Sequence, residues 1–218
     1  MRSQQFFIFL MIIVACSHGV AQSGKKSGDS QASSSKKEYA MGFFSGVHLN
    51  KASTKTNGST VNMKGSSFPI GAFFDGKINA KSGYQLTFAN EPYMVEGNSD
   101  VAPCGSSSTS NCDININYFG LGGTLVYIVT STDRVKVRVY GGVTLLFPQT
   151  KTSNVLDIGS QATNFNAKVG GGLDLSVSEY YYVPIDLGIN YFPNIFPNKN
   201  DFSTIGVTLH VGFGIYLN

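Results

Sequence analysis

Tryptophan is absent from all 218 residues, Asp, Glu, Lys and Arg together make up 13%, and only three cysteines occur. A water-soluble domain carries about 25% charged residues, so half that level argues against a surface bathed everywhere in water. The net charge of +3 is too small to draw in nucleic acid, and no nucleic-acid partner is expected. Long apolar runs are lacking too. The one sustained run, Phe6 to Ala15 (FFIFLMIIVA), is too short to cross a bilayer as a helix. The glycine clusters Gly122-Gly123, Gly141-Gly142 and Gly170 to Gly172 are not followed by Lys-Ser/Thr, which excludes a phosphate loop. No cofactor or metal is expected: Cys104 and Cys112 have no nearby histidine and are too few to hold zinc.

What is present begins with an export signal. Arg2 supplies the positive start, Phe6 to Ala15 the apolar centre, and Gly19-Val20-Ala21 the small residues for cleavage before Gln22, making residues 1–21 a signal peptide. Ile13-Val14-Ala15-Cys16 offers a second possibility, acylation at Cys16. Residues 22–37 (QSGKKSGDSQASSSKK) have nothing to bury and read as a flexible periplasmic linker. In an exported chain, Cys104 and Cys112 in the Ser-rich stretch CGSSSTSNC are expected to form a disulfide.

From residue 38 onward the chain alternates. Ile205, Val207, Leu209, Val211, Phe213, Ile215 and Leu217 are all apolar, and the residues between them are small or polar. Successive side chains of a strand point to opposite faces, so this is one oily face over thirteen residues. A strand tilted across a bilayer needs about 9–11 residues in the hydrocarbon. Seven earlier segments repeat the pattern: 39–49, 68–78, 84–93, 114–129, 135–147, 165–177 and 181–191. In the fourth, the apolar parity changes before Phe119 to Ile114 and Ile116, which suggests a bulge or an extension past the membrane. Connections after the second, fourth and sixth segments are short; the others are long and polar. The mean hydropathy of zero is what averaging a lipid face with a lumen face produces. Residues 38–218 are therefore expected to form an all-β, eight-stranded antiparallel up-and-down transmembrane β-barrel, with its termini on the short-turn side. Tyr84, Tyr127, Tyr181, Phe119, Phe147 and Tyr191, at segment ends on the oily parity, suit aromatic girdles.

The opposite parity carries Asp75, Glu91, Asp174 and Asp186 against Lys77, Lys136, Arg138 and Lys168. An eight-stranded barrel is just wide enough for side chains to fill, so these groups read as a paired plug, not an ion path. Lys136 and Asp174 are expected near the short-turn end, and Asp75 and Lys77 at the same depth. His48 and His210 share this parity on the two strands that must meet. Their positions suggest different depths, His48 near the outside and His210 nearer the middle, without a serine or acid beside either. That argues against a His–Ser–acid hydrolase of the lipid-modifying kind.

Several stretches carry a resemblance: GVAQ at the cleavage site, MGFFSGVHLN, VKVRVYGGVTLLF, NAKVGGGLDLSV, VPIDLGINYF and GVTLHVGFGIYL. Together they resemble the small outer-membrane β-barrel proteins of Bacteroidetes-type bacteria over roughly residues 39–218. The resemblance implies an outer-membrane location, contact with outer-membrane lipid, and delivery by the barrel-assembly machinery. That machinery commonly reads a terminal aromatic; here Tyr216 precedes Leu217 and Asn218. It implies no common activity. The expected function is non-enzymatic: a monomer with a structural or surface-binding role through its external loops, its surface ligand unnamed. The alternatives are a lipid-modifying barrel enzyme, a narrow pore, or a secreted soluble barrel that binds a small ligand.

Overall fold

The computed structural model describes residues 38–56, 59–99, 104, 110–154, 163–192 and 203–217. All of them fall within one compact unit, Lys37–Asn218. The signal peptide and linker expected at residues 1–37 lie outside the described residues, as do parts of the long loops. The strands are β1 (Tyr39–Thr56), β2 (Ser59–Ser67), β3 (Ile70–Lys77), β4 (Ser82–Asn98), β5 (Asn111–Ser131), β6 (Val135–Ser153), β7 (Asn164–Ser176), β8 (Tyr181–Phe192) and β9 (Ser203–Leu217).

All neighbours are antiparallel, and β1 pairs with β9 from Tyr39–Leu217 to Ser53–Ser203, closing the ring. Nine strands make eight staves. β2 and β3 both pair with β1, and the register of Ser45 with Ile70 continues unchanged into that of His48 with Ser67. They are one stave interrupted at Phe68-Pro69. Proline has no N–H to give the ladder; its carbonyl instead accepts from the Gly46 N–H at 3.2 Å and the Ser45 hydroxyl at 3.1 Å.

The three short turns are each held by one side chain. Asn79 Oδ1 accepts from the N–H groups of Lys81 and Ser82, both at 2.9 Å. Thr132 Oγ1 accepts from the Val135 N–H at 3.1 Å. Ser178 Oγ accepts from the N–H groups of Tyr180 and Tyr181, both at 3.2 Å. These are the local turn bonds such residues favour.

The wall alternates as its sequence requires. Along β9, Val207, Leu209, Val211 and Phe213 are each 46–48% exposed, while Thr204 and Thr208 are buried. Phe43, Ile70, Leu125, Val143, Val169 and Leu187 continue the exposed apolar band around the ring. A closed barrel leaves no unpaired edge, and its exposed apolar belt is solvated by hydrocarbon. Tyr181 stacks on Phe213 at 5.5 Å, and Phe119 meets Phe147 at 6.5 Å, at opposite ends of that belt.

At the long-loop end the structure departs from the expectation. β1 continues to Thr56 instead of stopping at Leu49, and the connection expected to be a long loop is a ladder with β2 reaching Thr56–Ser59. β4 and β5 also run on, to Asn98 and from Asn111. The change of apolar parity in β5 is not a bulge in that strand. Its register with β4 is unbroken from Tyr127 to Asn111, and even-numbered residues point inward throughout. The local irregularity sits on β6, where the register skips Gln149. Below Tyr118 in the wall, oil faces out; above it, Ile114 and Ile116 face in and Asn115 faces out. The barrel has left the lipid there, and its outer surface meets water.

Candidate functional site in the barrel lumen

The lumen is layered. Nearest the short turns is a cavity of about 240 Å³, open on that side. Lys77, expected in the polar network, ends β3 and stands exposed at the cavity's rim, not among the paired charges. Lys136 lies directly opposite Asp174 in the ladder, yet its Nζ donates to the Tyr216 hydroxyl at 3.0 Å and rides over that ring. Tyr216 stacks in turn on Tyr182 at 4.7 Å.

The next layer centres on Arg138, which is buried. Its Nε is 3.0 Å from Asp174 Oδ1, and its Nη2 donates to Asp186 Oδ2 at 2.9 Å. Asp75 accepts from the Tyr182 hydroxyl at 2.7 Å. A buried charge needs such partners to offset lost hydration. The ladder explains how Arg138 reaches across. Arg138 pairs with Gly172, and Gly172 pairs with Asp186, so one glycine separates the two charged residues in the same row. A Cβ on Gly172 would collide with the Asp186 carboxylate. Similarly, Tyr140, Gly170 and Gly188 share a row, and a Cβ at either glycine would strike the Tyr140 hydroxyl. The glycine clusters clear space for long lumen side chains.

Above Arg138 lies a histidine pair that the sequence did not place together. His48 pairs with Thr208 and His210 with Gly46, making the two histidines diagonal neighbours across the closing seam. Their Nε2 atoms are 2.8 Å apart. His48 Nδ1 faces Glu91 Oε2 at 3.6 Å. With Nδ1–H turned to Glu91, His48 Nε2 is the acceptor and His210 Nε2–H the donor. The expected difference in depth is thus corrected: β1 continues past Leu49, so His48 sits mid-strand. An acid does stand beside it. Lys168 shares a void of about 30 Å³ with Glu91, Asp186 and His210, large enough to hold water.

This arrangement lacks an activated nucleophile. Ser67 is paired directly with His48 on β2, but its buried Oγ has no hydrogen-bond partner, and both His48 ring nitrogens face other groups. The space beside His48 and Glu91 is about 10 Å³, too small for a substrate. Among the described residues no group of His, Cys, Asp and Glu is arranged to hold a metal.

The long-loop end is closed by an apolar cluster. Met63, Tyr93, Ile114, Ile116, Tyr118 and Leu146 are almost fully buried, with Phe192 packed on Tyr93 at 5.5 Å. The Tyr93 hydroxyl is hydrogen-bonded to Thr204 Oγ1 at 2.9 Å. The disulfide between Cys104 and Cys112 belongs to the same buried cluster.

No protein-family model and no curated protein sequence matches this chain. Solved structures match its fold. Outer membrane protein OprG from Pseudomonas aeruginosa is similar with a TM-score of 0.55 at 12% identity, over 83% of this chain and 96% of that one. Outer membrane protein AlkL, determined in DMPC lipid bilayers, gives 0.54 at 13% identity, over 90% and 97%. Neisserial surface protein A gives 0.43 at 14%, over 82% and 99%. At 12–13% identity the likeness to OprG and AlkL is one of architecture, and it agrees with the exposed apolar belt: this chain is an antiparallel β-barrel of the outer-membrane type.

Proposed function

We propose that the protein is a non-enzymatic outer-membrane barrel that works as a monomer at the cell surface, through the strand extensions and the long loops above them. The Bacteroidetes-type family, export by the signal at residues 1–21 and delivery by the barrel-assembly machinery belong to the same proposal. The observation that carries it is the apolar seal of Met63, Tyr93, Ile114, Ile116, Tyr118 and Leu146 across the long-loop end of the lumen. A stave ring of this size has little more interior than its own side chains fill, and here the spaces beside the histidine pair are only about 10 and 30 Å³, while the wider cavity opens toward the short turns. Passage through the lumen would need the seal to open. The water-facing extension, by contrast, presents polar side chains and carries the long loops on paired strands, and recognition commonly resides in such loops.

Two measurements test this. Purified full-length chain in a planar bilayer should give no conductance above the bare membrane; steady channel steps would overturn the sealed-lumen reading. Mass spectrometry of lipid A from cells with and without the protein should give identical species. A mass change that depends on the protein would make it an enzyme.

A further inference from the structure

The outer wall carries a feature that lumen plugging does not use. Lys51 on β1 and Lys64 on β2 are direct ladder partners, and both are exposed on the outward face. Directly opposed like charges across a strand pair are destabilising. Glu96, next to Lys64 on β4, balances one of them by position. Among the described residues Lys51 has no such neighbour: Ile205 flanks it on β9, with Leu49 and Ser53 on either side along its own strand. The pair therefore holds an uncompensated positive charge in one place.

That place lies at the edge of the apolar belt. One row nearer the belt, Ile189, Val207, Leu49 and Ser66 run in register across four staves. In the lysine row itself, Tyr191 is the partner of Ile205, two strands from Lys51, and is half exposed like an interface aromatic. The two rows border a groove of about 610 Å³ in the outer wall, lined by Leu49, Ile189 and Val207 below and by Ile205, Lys51 and Lys64 above. Its floor is continuous with the surface that hydrocarbon covers, and its cationic edge stands where headgroups begin.

We infer that this groove binds a phosphorylated lipid of the leaflet on the long-loop side, with the phosphate between Lys51 and Lys64 and an acyl chain along Leu49, Val207 and Ile189. Charge complementarity selects the phosphate, and continuity with the belt selects a lipid over a soluble anion. The assignment does not depend on whether the loops bind anything.

Native mass spectrometry of the full chain, released from neutral detergent with equimolar dioleoyl phosphatidic acid and dioleoyl phosphatidylcholine, reads this directly. Phosphatidic acid should be retained about tenfold over phosphatidylcholine, the size of one good charged contact. The preference should vanish in Lys51→Gln/Lys64→Gln, survive in Lys51→Arg/Lys64→Arg, and be untouched by Lys81→Gln in a short turn. Unchanged heat-dependent gel mobility shows that each variant is folded. Equal retention of the two lipids by the native chain, or an undiminished preference in the double Gln variant, overturns the site. Displacement of phosphatidic acid by millimolar orthophosphate overturns its assignment to a lipid.

Discussion

Arg138 is the residue on which the lumen depends most. It is buried at the inner end of the open cavity and faces two carboxylates, Asp174 and Asp186. Arg138→Met keeps the volume but leaves both acids without their cation. Removing one member of a buried ion pair costs about 3–5 kcal/mol, and the temperature at which the heat-dependent gel mobility changes should fall accordingly. Gly172→Ala should act on the same cluster from the backbone side. The new methyl displaces the Asp186 carboxylate, and crowding of this kind costs about 1–3 kcal/mol. If Gly172→Ala is silent, the row from Arg138 to Asp186 is not as tight as the structure has it. The inward parity of these groups was legible from period two alone. Their partners were not, since partnership depends on register between strands distant in sequence. Lys136 illustrates this: it sits opposite Asp174 in the ladder but turns to Tyr216. His48 and His210 illustrate it again, because their meeting required knowing where β1 ends.

At the scale of a strand, β5 is the informative element. Its outward positions include Leu125, 68% exposed at the lipid belt, and Asn115, exposed on the extension. Both point the same way from the same unbroken ladder, so an identical substitution tests their surroundings. Leu125→Arg should cost about 2–4 kcal/mol, as a charge on the lipid face does. Asn115→Arg should stay within about 0.5 kcal/mol, as on an ordinary wet surface. Equal costs would mean that the membrane boundary does not cross β5 between them. Alternation revealed the spanning halves of the strands because long oily faces stand out. The extensions stayed hidden because their inward residues are sparse, Ala52 and Thr54 on β1, and Val61 and Met63 on β2, set in Ser, Thr, Asn and Lys that read as loop.

For the molecule as a whole, the disulfide ties the loop to the buried apolar cluster at the long-loop end. Cys104 and Cys112 are eight residues apart, and closing so small a loop stabilises by no more than about 2–3 kcal/mol. Cys104→Ser/Cys112→Ser should leave the spanning barrel folded, with its heat-dependent mobility intact, while loosening the apolar cluster around the two positions and altering what the loops recognise. Thiol labelling of intact cells with an impermeant reagent should require reductant. Labelling without reductant would show free thiols. Labelling that also requires a permeabilised outer membrane would put the loops in the periplasm and invert the proposed orientation.

The reversal of faces along β5 means that one continuous sheet is dissolved in two solvents. Its lower half is a solute of hydrocarbon, and its upper half is a water-soluble mini-barrel with an interior of tyrosine, isoleucine and methionine. Urea weakens burial from water and has little purchase on a surface already in lipid. In a bilayer, the upper half should therefore melt first, releasing Tyr93 and Tyr118 from their buried sites while the belt tyrosines Tyr127 and Tyr181 keep their signals. Single cooperative melting, the rule for small domains, would here be the exception, and one coincident transition from all four tyrosines would show that the two halves hold each other up. A protein built this way has two stabilities, and a change of bilayer should tune one of them without touching the other.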